Sequence, residues 1–288
     1  MSERLTVRKT HKLFIGGAFP RSESGRTYEV HDATGSFLAN MSQASRKDAR
    51  NAVLAARKAV DGWSAATAYN RGQVLYRIAE IMDGRRDQFA TEVAAAEGCS
   101  DAEANRQVDL AIDRWVWYAG WADKIAQVLG SANPVAGPFF DFSVPEPTGV
   151  VAAVAPQESS LLGLVSVVAP IIVSGNAVLV VPSHDRPIPA ISLAEVLATS
   201  DVPDGVVNIL TGDATEMMPW LAAHADVNAL DLTGMEPGEG ATTTEREAAG
   251  TIKRVMRPAP DIDWSADPGI ARIRFFVETK TVWHPMGT

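Results

Sequence analysis

Cysteine is nearly absent from this chain of 288 residues: Cys99 stands alone, so no internal disulfide can form, and the count suits a reducing cytoplasm. Runs of lysine or arginine are missing too. The formal net charge is -9, which speaks for solubility and against a nucleic-acid surface. No apolar stretch reaches the length of a membrane span, because the most apolar segment, residues 161–181, is interrupted by Pro170 and by Gly175-Asn176. The first twelve residues hold no apolar core of signal-peptide length. A cytoplasmic protein with neither nucleic-acid nor membrane partners is the expectation. The 46% hydrophobic and 21% charged residues are those of an ordinary globular chain, long enough for one large or two modest domains.

Familiar catalytic constellations are missing as well. His11, His31, His184, His224 and His284 are scattered, and none pairs with another histidine or with cysteine at metal-ligand spacing, so no metal is expected. Neither a Gly-x-Ser-x-Gly elbow nor a phosphate loop ending in Gly-Lys-Ser/Thr occurs. Where a Gly-x-Gly-x-x-Gly would follow a first strand, the chain reads Ala155-Pro156-Gln157-Glu158-Ser159-Ser160.

What is present is pattern. Residues 13–41 read as short strands and turns. Ser45 stands three residues before Asp48, a capping-box signal, and behind it Ala49, Ala52, Val53, Ala56, Val60 and Trp63 fall at helical spacing. A second helix carries Val74, Leu75, Ile78, Ala79 and Met82; a long third carries Trp115, Ala119, Ala122, Ile125 and Leu129. In residues 130–147 prolines enclose an aromatic run at 139–144, which predicts an exposed hairpin or extended arm, since proline suits strand edges. Beyond Gly149 the short apolar runs 150–154, 177–181, 206–210 and 228–232 alternate with helix-length stretches, the pattern of buried parallel strands with right-handed crossovers. Residues 252–256 read as a fifth strand, 258–268 as a linker, and 270–285 as a last strand. The expected fold is α/β: a Rossmann-like open parallel sheet with helices on both faces, an N-terminal helical region and a small β arm for oligomerisation. The parts divide as 1–132, the arm 133–148, the βα portion 149–258, and linker plus terminal strand 259–288.

Several of these segments resemble one family. Glu146-Pro147-Thr148-Gly149-Val150-Val151, Ser174-Gly175-Asn176-Ala177-Val178, Pro182-Ser183, Val202-Pro203-Asp204-Gly205-Val206, Thr211-Gly212-Asp213 and Leu232-Thr233-Gly234 are similar, in order, to the cofactor domain of aldehyde dehydrogenases. Leu13-Phe14-Ile15-Gly16-Gly17 and Tyr118-Ala119-Gly120-Trp121-Ala122-Asp123-Lys124 match its front. The resemblance implies an NAD(P)-binding fold whose cofactor positions fall at Pro156, Val181, Pro182, Ser183, Gly212, Thr233 and Gly234. It also implies degenerate catalytic positions. The family's oxyanion-holding asparagine is Glu158 here, and a carboxylate repels developing negative charge. Its ribose-binding lysine and nearby glutamate are Val181 and His184. The second glycine of its pyrophosphate loop falls at Glu239, between Gly238 and Gly240. Where the family's general base should come, Met256-Arg257-Pro258 stands, and the cysteine nucleophile has no counterpart. Glu278-Thr279-Lys280-Thr281-Val282-Trp283 is similar to the family's subunit-joining strand.

Plainer readings compete at single residues. Glu158 as a covert base is set against a solvated loop carboxylate, His184 as a nucleotide contact against a solvated histidine, and Cys99 against a small packing residue. Trp115, Trp117 and Trp121 read as core and interface rather than a cofactor box. The resemblance thus implies no activity alone and no required cofactor, NAD(P) being held weakly if at all. The expected role is a non-catalytic subunit, forming a homo-oligomer or a hetero-oligomer with a full-length aldehyde dehydrogenase. The alternative is an NAD(P)-dependent oxidoreductase acting on aldehydes, with a site completed by another chain; a nucleotide-sensing module is a third reading.

Overall fold

The computed structural model describes residues 7–287. At the front, β1 (Thr10–His11), β2 (Thr27–His31) and β3 (Phe37–Ser42) form a sheet of order β1-β3-β2. The helix α1 (Arg46–Ala65) starts with both halves of a capping box: Asp48 N donates to Ser45 Oγ at 3.2 Å, and Ser45 N donates to Asp48 Oδ2 at 2.8 Å. Its buried face includes the six apolar residues picked out by spacing, and α2 (Ala68–Asp83) buries its own five. The third helix was not legible as one piece. The spacing missed α3 (Arg86–Glu97), while the long stripe breaks: α4 (Asp101–Trp121) ends before Ile125, and α5 (Ile125–Leu129) is a separate turn.

The arm comprises β4 (Ser131–Asn133) and β5 (Phe139–Pro147). Because β4 pairs only with residues 141–143, β5 has a free edge beyond Val144, where Pro145 and Pro147 are tolerated.

From here strand and helix alternate: β6 (Val150–Val154), α6 (Leu162–Val173), β7 (Ala177–Val181), α7 (Ile188–Leu197), β8 (Val207–Ile209), α8 (Ala214–Ala223), β9 (Ala229–Asp231), α9 (Glu239–Ala248) and β10 (Arg254–Met256). The five strands are parallel, in the order β10-β9-β6-β7-β8. The period of two sorts β6 between two cores. Val151 and Ala153 pack with α4, α6 and α7; Val150, Ala152 and Val154 pack with α1 and α8. Helices therefore cover both faces, and the strand order reverses between β6 and β9.

The last segment departs from expectation. Residues 270–285 are not one strand: α10 (Ala271–Phe275) comes first, then β11 (Val277–Pro285). The terminal strand β11 finds its sheet in the arm of its own chain. It pairs antiparallel with all of β5, from Val277↔Pro147 to Pro285↔Phe139. Phe276 is fully buried in the chain's own core. Asn176 explains this docking, since its Nδ2 donates to Phe276 O at 2.8 Å while its Oδ1 accepts from Gly149 N at 2.7 Å. The segment 258–268 is no free linker either: Arg114 Nη2 donates to the carbonyls of Trp264 (2.5 Å) and Ala266 (3.1 Å).

A buried histidine sets an acid limit on stability. Burial, and then the neighbouring Lys9, pull the His11 pKa from 6.5 down to about 4, with Glu195 opposing. The folded value lies below the unfolded one, so the neutral form stabilises the fold. That contribution is complete above pH 6.5 and is lost as pH falls through 6.5 toward 4. In urea titrations between pH 4 and 7, His11→Gln is expected to show a flatter pH dependence than the native chain. Parallel curves would remove His11 as the cause.

Candidate functional site

Open parallel sheets bind ligands beyond the C-terminal strand ends, where the strand order reverses. In this chain that place lies between the ends of β6 and β9. The two loops meet closely: a Cβ on Gly234 would lie 2.0 Å from Ala155 O, and Gly234 N donates to Val154 O at 3.1 Å. Only glycine permits that approach.

Pro156 is buried and packs against the first turn of α6, where a Cβ on Gly163 would meet its ring at 2.8 Å. Glu158 lies exposed two residues on, its carbonyl accepting from Arg186 Nη1 at 2.6 Å. Two amides beside the start of α6 are occupied, that of Ser160 just before the helix and that of Gly163 in its first turn. Ser160 N and Oγ donate to Glu97 Oε1 at 2.7 and 2.6 Å, and Gly163 N donates to Ser159 Oγ at 2.9 Å.

At the end of β7, Val181 is buried in the core shared with α1 rather than standing in the crevice. Pro182 is also buried, and Ser183 Oγ donates to Gln157 O at 2.8 Å. His184 stacks on Tyr28, with ring centroids 4.5 Å apart and planes 8° from parallel, and its backbone N–H donates to Gln157 Oε1 at 3.0 Å. Burial, helped by Asp185, pushes the Tyr28 hydroxyl pKa far up, so the stacked phenol stays neutral. At positions 181 and 184 an aliphatic side chain and a stacked imidazole stand in place of a lysine and a glutamate.

Gly212 lies against the loop before α1, a Cβ there meeting Ala44 N at 3.3 Å. Thr233 is turned back on its own strand: its N and Oγ1 donate to Asp231 Oδ1 at 3.1 and 2.5 Å. Asp231 is fully buried and ion-paired with Arg272 of α10, whose Nη1 also donates to Thr233 Oγ1 at 3.3 Å. Pro258 follows β10 after one intervening residue, and Ala259 N then donates to Thr233 O at 3.3 Å. The chain after β10 therefore crosses the end of β9. The start of α9, at Gly238-Glu239-Gly240, is exposed and has no side-chain cap, so its free amides suit a phosphate, with Glu239 opposing.

Cys99 lies half-buried in the turn between α3 and α4. Burial and then Glu97 push its thiol pKa up, opposite to the direction an activated nucleophile needs. Sequence reasoning missed Glu97, Tyr28, Asp231 and Arg272. Only Asp231 left a signal, as a charged residue ending an apolar strand.

An open parallel sheet wound both ways from a central strand, with a glycine-tight reversal and an uncapped helix start beside it, is the architecture of a dinucleotide-binding α/β domain. The chain belongs to the aldehyde dehydrogenase family, whose model matches residues 19–257. It is 33% identical over 259 residues to the cytosolic 10-formyltetrahydrofolate dehydrogenase of Xenopus tropicalis, across 87% of this chain and 28% of that one. With the human protein of the same name it shares 33% over 237 residues, across 80% and 26%. Among solved structures it is similar to an NAD-dependent aldehyde dehydrogenase from Sinorhizobium meliloti (TM-score 0.79, 26% identity, 86% of this chain and 49% of that one). An NAD+ complex of aldehyde dehydrogenase from Bacillus cereus is comparable, at 0.78, 25%, 86% and 50%. The chain thus spans about half the length of these enzymes and just over a quarter of those curated relatives. No helix among the described residues is long and apolar enough to cross a membrane.

Proposed function

We propose that this chain is a non-catalytic subunit of an aldehyde dehydrogenase assembly, joined to itself or to a full-length relative through the arm, and that it works in the cytoplasm. The observation that carries the reading is the arm: β5 and β11 form a complete nine-residue ladder although the polypeptide between β10 and α10 has no catalytic-domain length. On that ladder Phe139, Phe140 and Trp283 stay exposed, and β11 keeps an unpaired edge among the described residues. Aromatic side chains beside an open strand edge are what strand addition by a partner would cover.

The crevice supports the negative half of the reading. Val181 faces the core, His184 is stacked on Tyr28, and the amides of Ser160 and Gly163 are taken by Glu97 and Ser159. A ribose hydroxyl deprived of a charged partner loses about 1.5–3 kcal/mol, or roughly tenfold to hundredfold in affinity. NAD(P) is therefore held weakly and is not required. One observation favours the alternative of an NAD(P)-dependent oxidoreductase completed by another chain: the uncapped α9 start, which suits a pyrophosphate.

The test is the full chain, alone and with a full-length relative, in titration calorimetry with NAD and NADP and in an aldehyde panel read by cofactor absorbance. The chain alone is expected to bind neither cofactor in the low micromolar range and to turn over no aldehyde. Micromolar binding, or turnover that survives Cys99→Ser, would overturn the proposal.

A further inference from the structure

The chain between β10 and α10 is tied down along its length, and both of its ends meet on one lip of the crevice. Ala259 N donates to Thr233 O at 3.3 Å, one residue before the Gly234 that touches the β6 loop. Arg114 of α4 holds the carbonyls of Trp264 (2.5 Å) and Ala266 (3.1 Å), and Trp264 packs against the core. Past the strap, Arg272 pairs with Asp231 and donates from Nη1 to Thr233 Oγ1 at 3.3 Å, its guanidinium 5.7 Å from the Trp264 ring centre. Arg257 Nη2 meets Glu245 Oε2 of α9 at 3.2 Å. Between these ties the strap folds on itself: Asp263 accepts from Ser265 N (2.9 Å) and Oγ (2.6 Å), and Asp267 from Gly269 N (2.9 Å).

Asp231 shows what the ties accomplish. A carboxylate buried at the end of an apolar strand is costly unless it is paired and hydrogen-bonded, and valine or leucine would serve the β9 ladder better. Among the described residues its side chain has two partners, Thr233 two positions on and Arg272 across 41. The first belongs to the crevice lip and the second to the end of the strap. The ion pair therefore fixes the strap against the lip, a case of buried charge that specifies one arrangement of the chain.

We propose that residues 257–272 are a built-in cover over the β9 side of the crevice, which excludes a dinucleotide unless the strap is displaced. A ligand that reaches across a reversal of strand order lies over the ends of both central strands. On the β9 side the polar groups that could meet it are consumed. Ala259 takes the Thr233 carbonyl, Asp231 and Arg272 take the Thr233 hydroxyl, and Arg272 takes the second Asp231 oxygen. Thr233 is 3% exposed and Asp231 is fully buried. A dinucleotide thus does not fit the closed crevice, whereas a mononucleotide confined to the ends of β6 and β7 need not touch the strap. A ligand that requires a minor open form loses affinity in proportion to the open fraction, so a strap closed in about 99 of 100 molecules weakens it about hundredfold. This obstruction is separate from the missing ribose grip, and it stands whether or not the chain is a partner subunit.

The test opens the strap in the folded full-length chain. A protease recognition sequence is inserted between Asp267 and Pro268, beside the exposed residues 265–267, and cut after folding. The β5–β11 ladder and the buried Phe276 hold the C-terminal piece in place, and circular dichroism checks the fold. NADH and AMP are titrated calorimetrically into the cut and the uncut chain. Cutting is expected to tighten NADH about tenfold or more and to leave AMP unchanged. A second variant, Asp231→Leu with Arg272→Met, removes the tie without stranding a charge and is expected to shift NADH in the same direction; it decides the matter if the cut chain loses its fold. The weak-binding reading of the crevice is judged separately, by the uncut chain alone, because the cover is judged by the ratio of the two affinities. Equal NADH affinity before and after release, with no binding in either included, overturns the cover. An equal gain for AMP overturns it too, since the whole crevice would then have loosened.

Discussion

A chain ending at Val277 is expected to run as a monomer where the intact chain runs as a dimer or larger. Phe276 and Val277 remain, so the core seat of Phe276 and its hydrogen bond to Asn176 are kept. What goes is the strand laid along β5 from Glu278↔Glu146 to Pro285↔Phe139, with the Arg254–Glu278 and Lys280–Glu146 pairs. Cutting at residue 275 instead would open the core at the Phe276 site and confuse assembly with unfolding, since emptying such a site costs about 3–5 kcal/mol. Light scattering after size exclusion reads the assembly state, and circular dichroism checks that the sheet and helices survive. A paired substitution, Phe140→Glu with Trp283→Glu, leaves the backbone ladder in place and charges two side chains that are 49% and 58% exposed. It is expected to give the same monomer, and to abolish co-purification with a co-expressed full-length aldehyde dehydrogenase. If both versions keep the native assembly state and partner, the arm is only packing and the subunit proposal fails.

Removing Asp231 is expected to be the most destabilising single change in the candidate site. Its carboxylate is fully buried, accepts from Thr233 N and Oγ1 on one oxygen, and pairs with Arg272 on the other. Asp231→Ala strands a guanidinium whose side chain is only 13% exposed. Breaking a buried pair from one side costs about 3–5 kcal/mol, whereas replacing both members by apolar residues of similar volume is often close to neutral. The urea midpoint should therefore fall strongly in Asp231→Ala and recover in Asp231→Leu with Arg272→Met. Arg272 anchors α10 to the end of β9, so the single variant should also become open to limited proteolysis between residues 258 and 275. A midpoint within the spread of surface substitutions would show the pair to be an accessory contact.

Much of this architecture follows from the chain read alone. Helix faces repeat at the helical period, so Ala49 to Trp63 in α1 and Val74 to Met82 in α2 reveal their buried sides without a partner in view. Strands covered on both faces read as continuous apolar runs, which is why β6 and β7 match the runs at 150–154 and 177–181. The cap at Ser45 and Asp48 is local chemistry over three residues. The order of these signals is enough to specify a doubly wound sheet and the family that uses it.

Tertiary structure alone decided where the polar groups are used. Glu97 accepts from Ser160, just before α6, across 63 residues, Arg272 reaches Asp231 across 41, and Tyr28 closes over His184 from a different sheet. None of these pairs has a period or a spacing to betray it, because each depends on two elements brought together by packing of the apolar faces between them. The tail shows the same division. Its β-branched and aromatic residues announce a strand, but whether that strand seeks another chain or its own β5 depends on α10 turning the backbone and on Asn176 holding Phe276. Periodic burial is written into the sequence because each residue repeats the same bargain with water; a specific polar contact is made once, and only the folded chain says with whom.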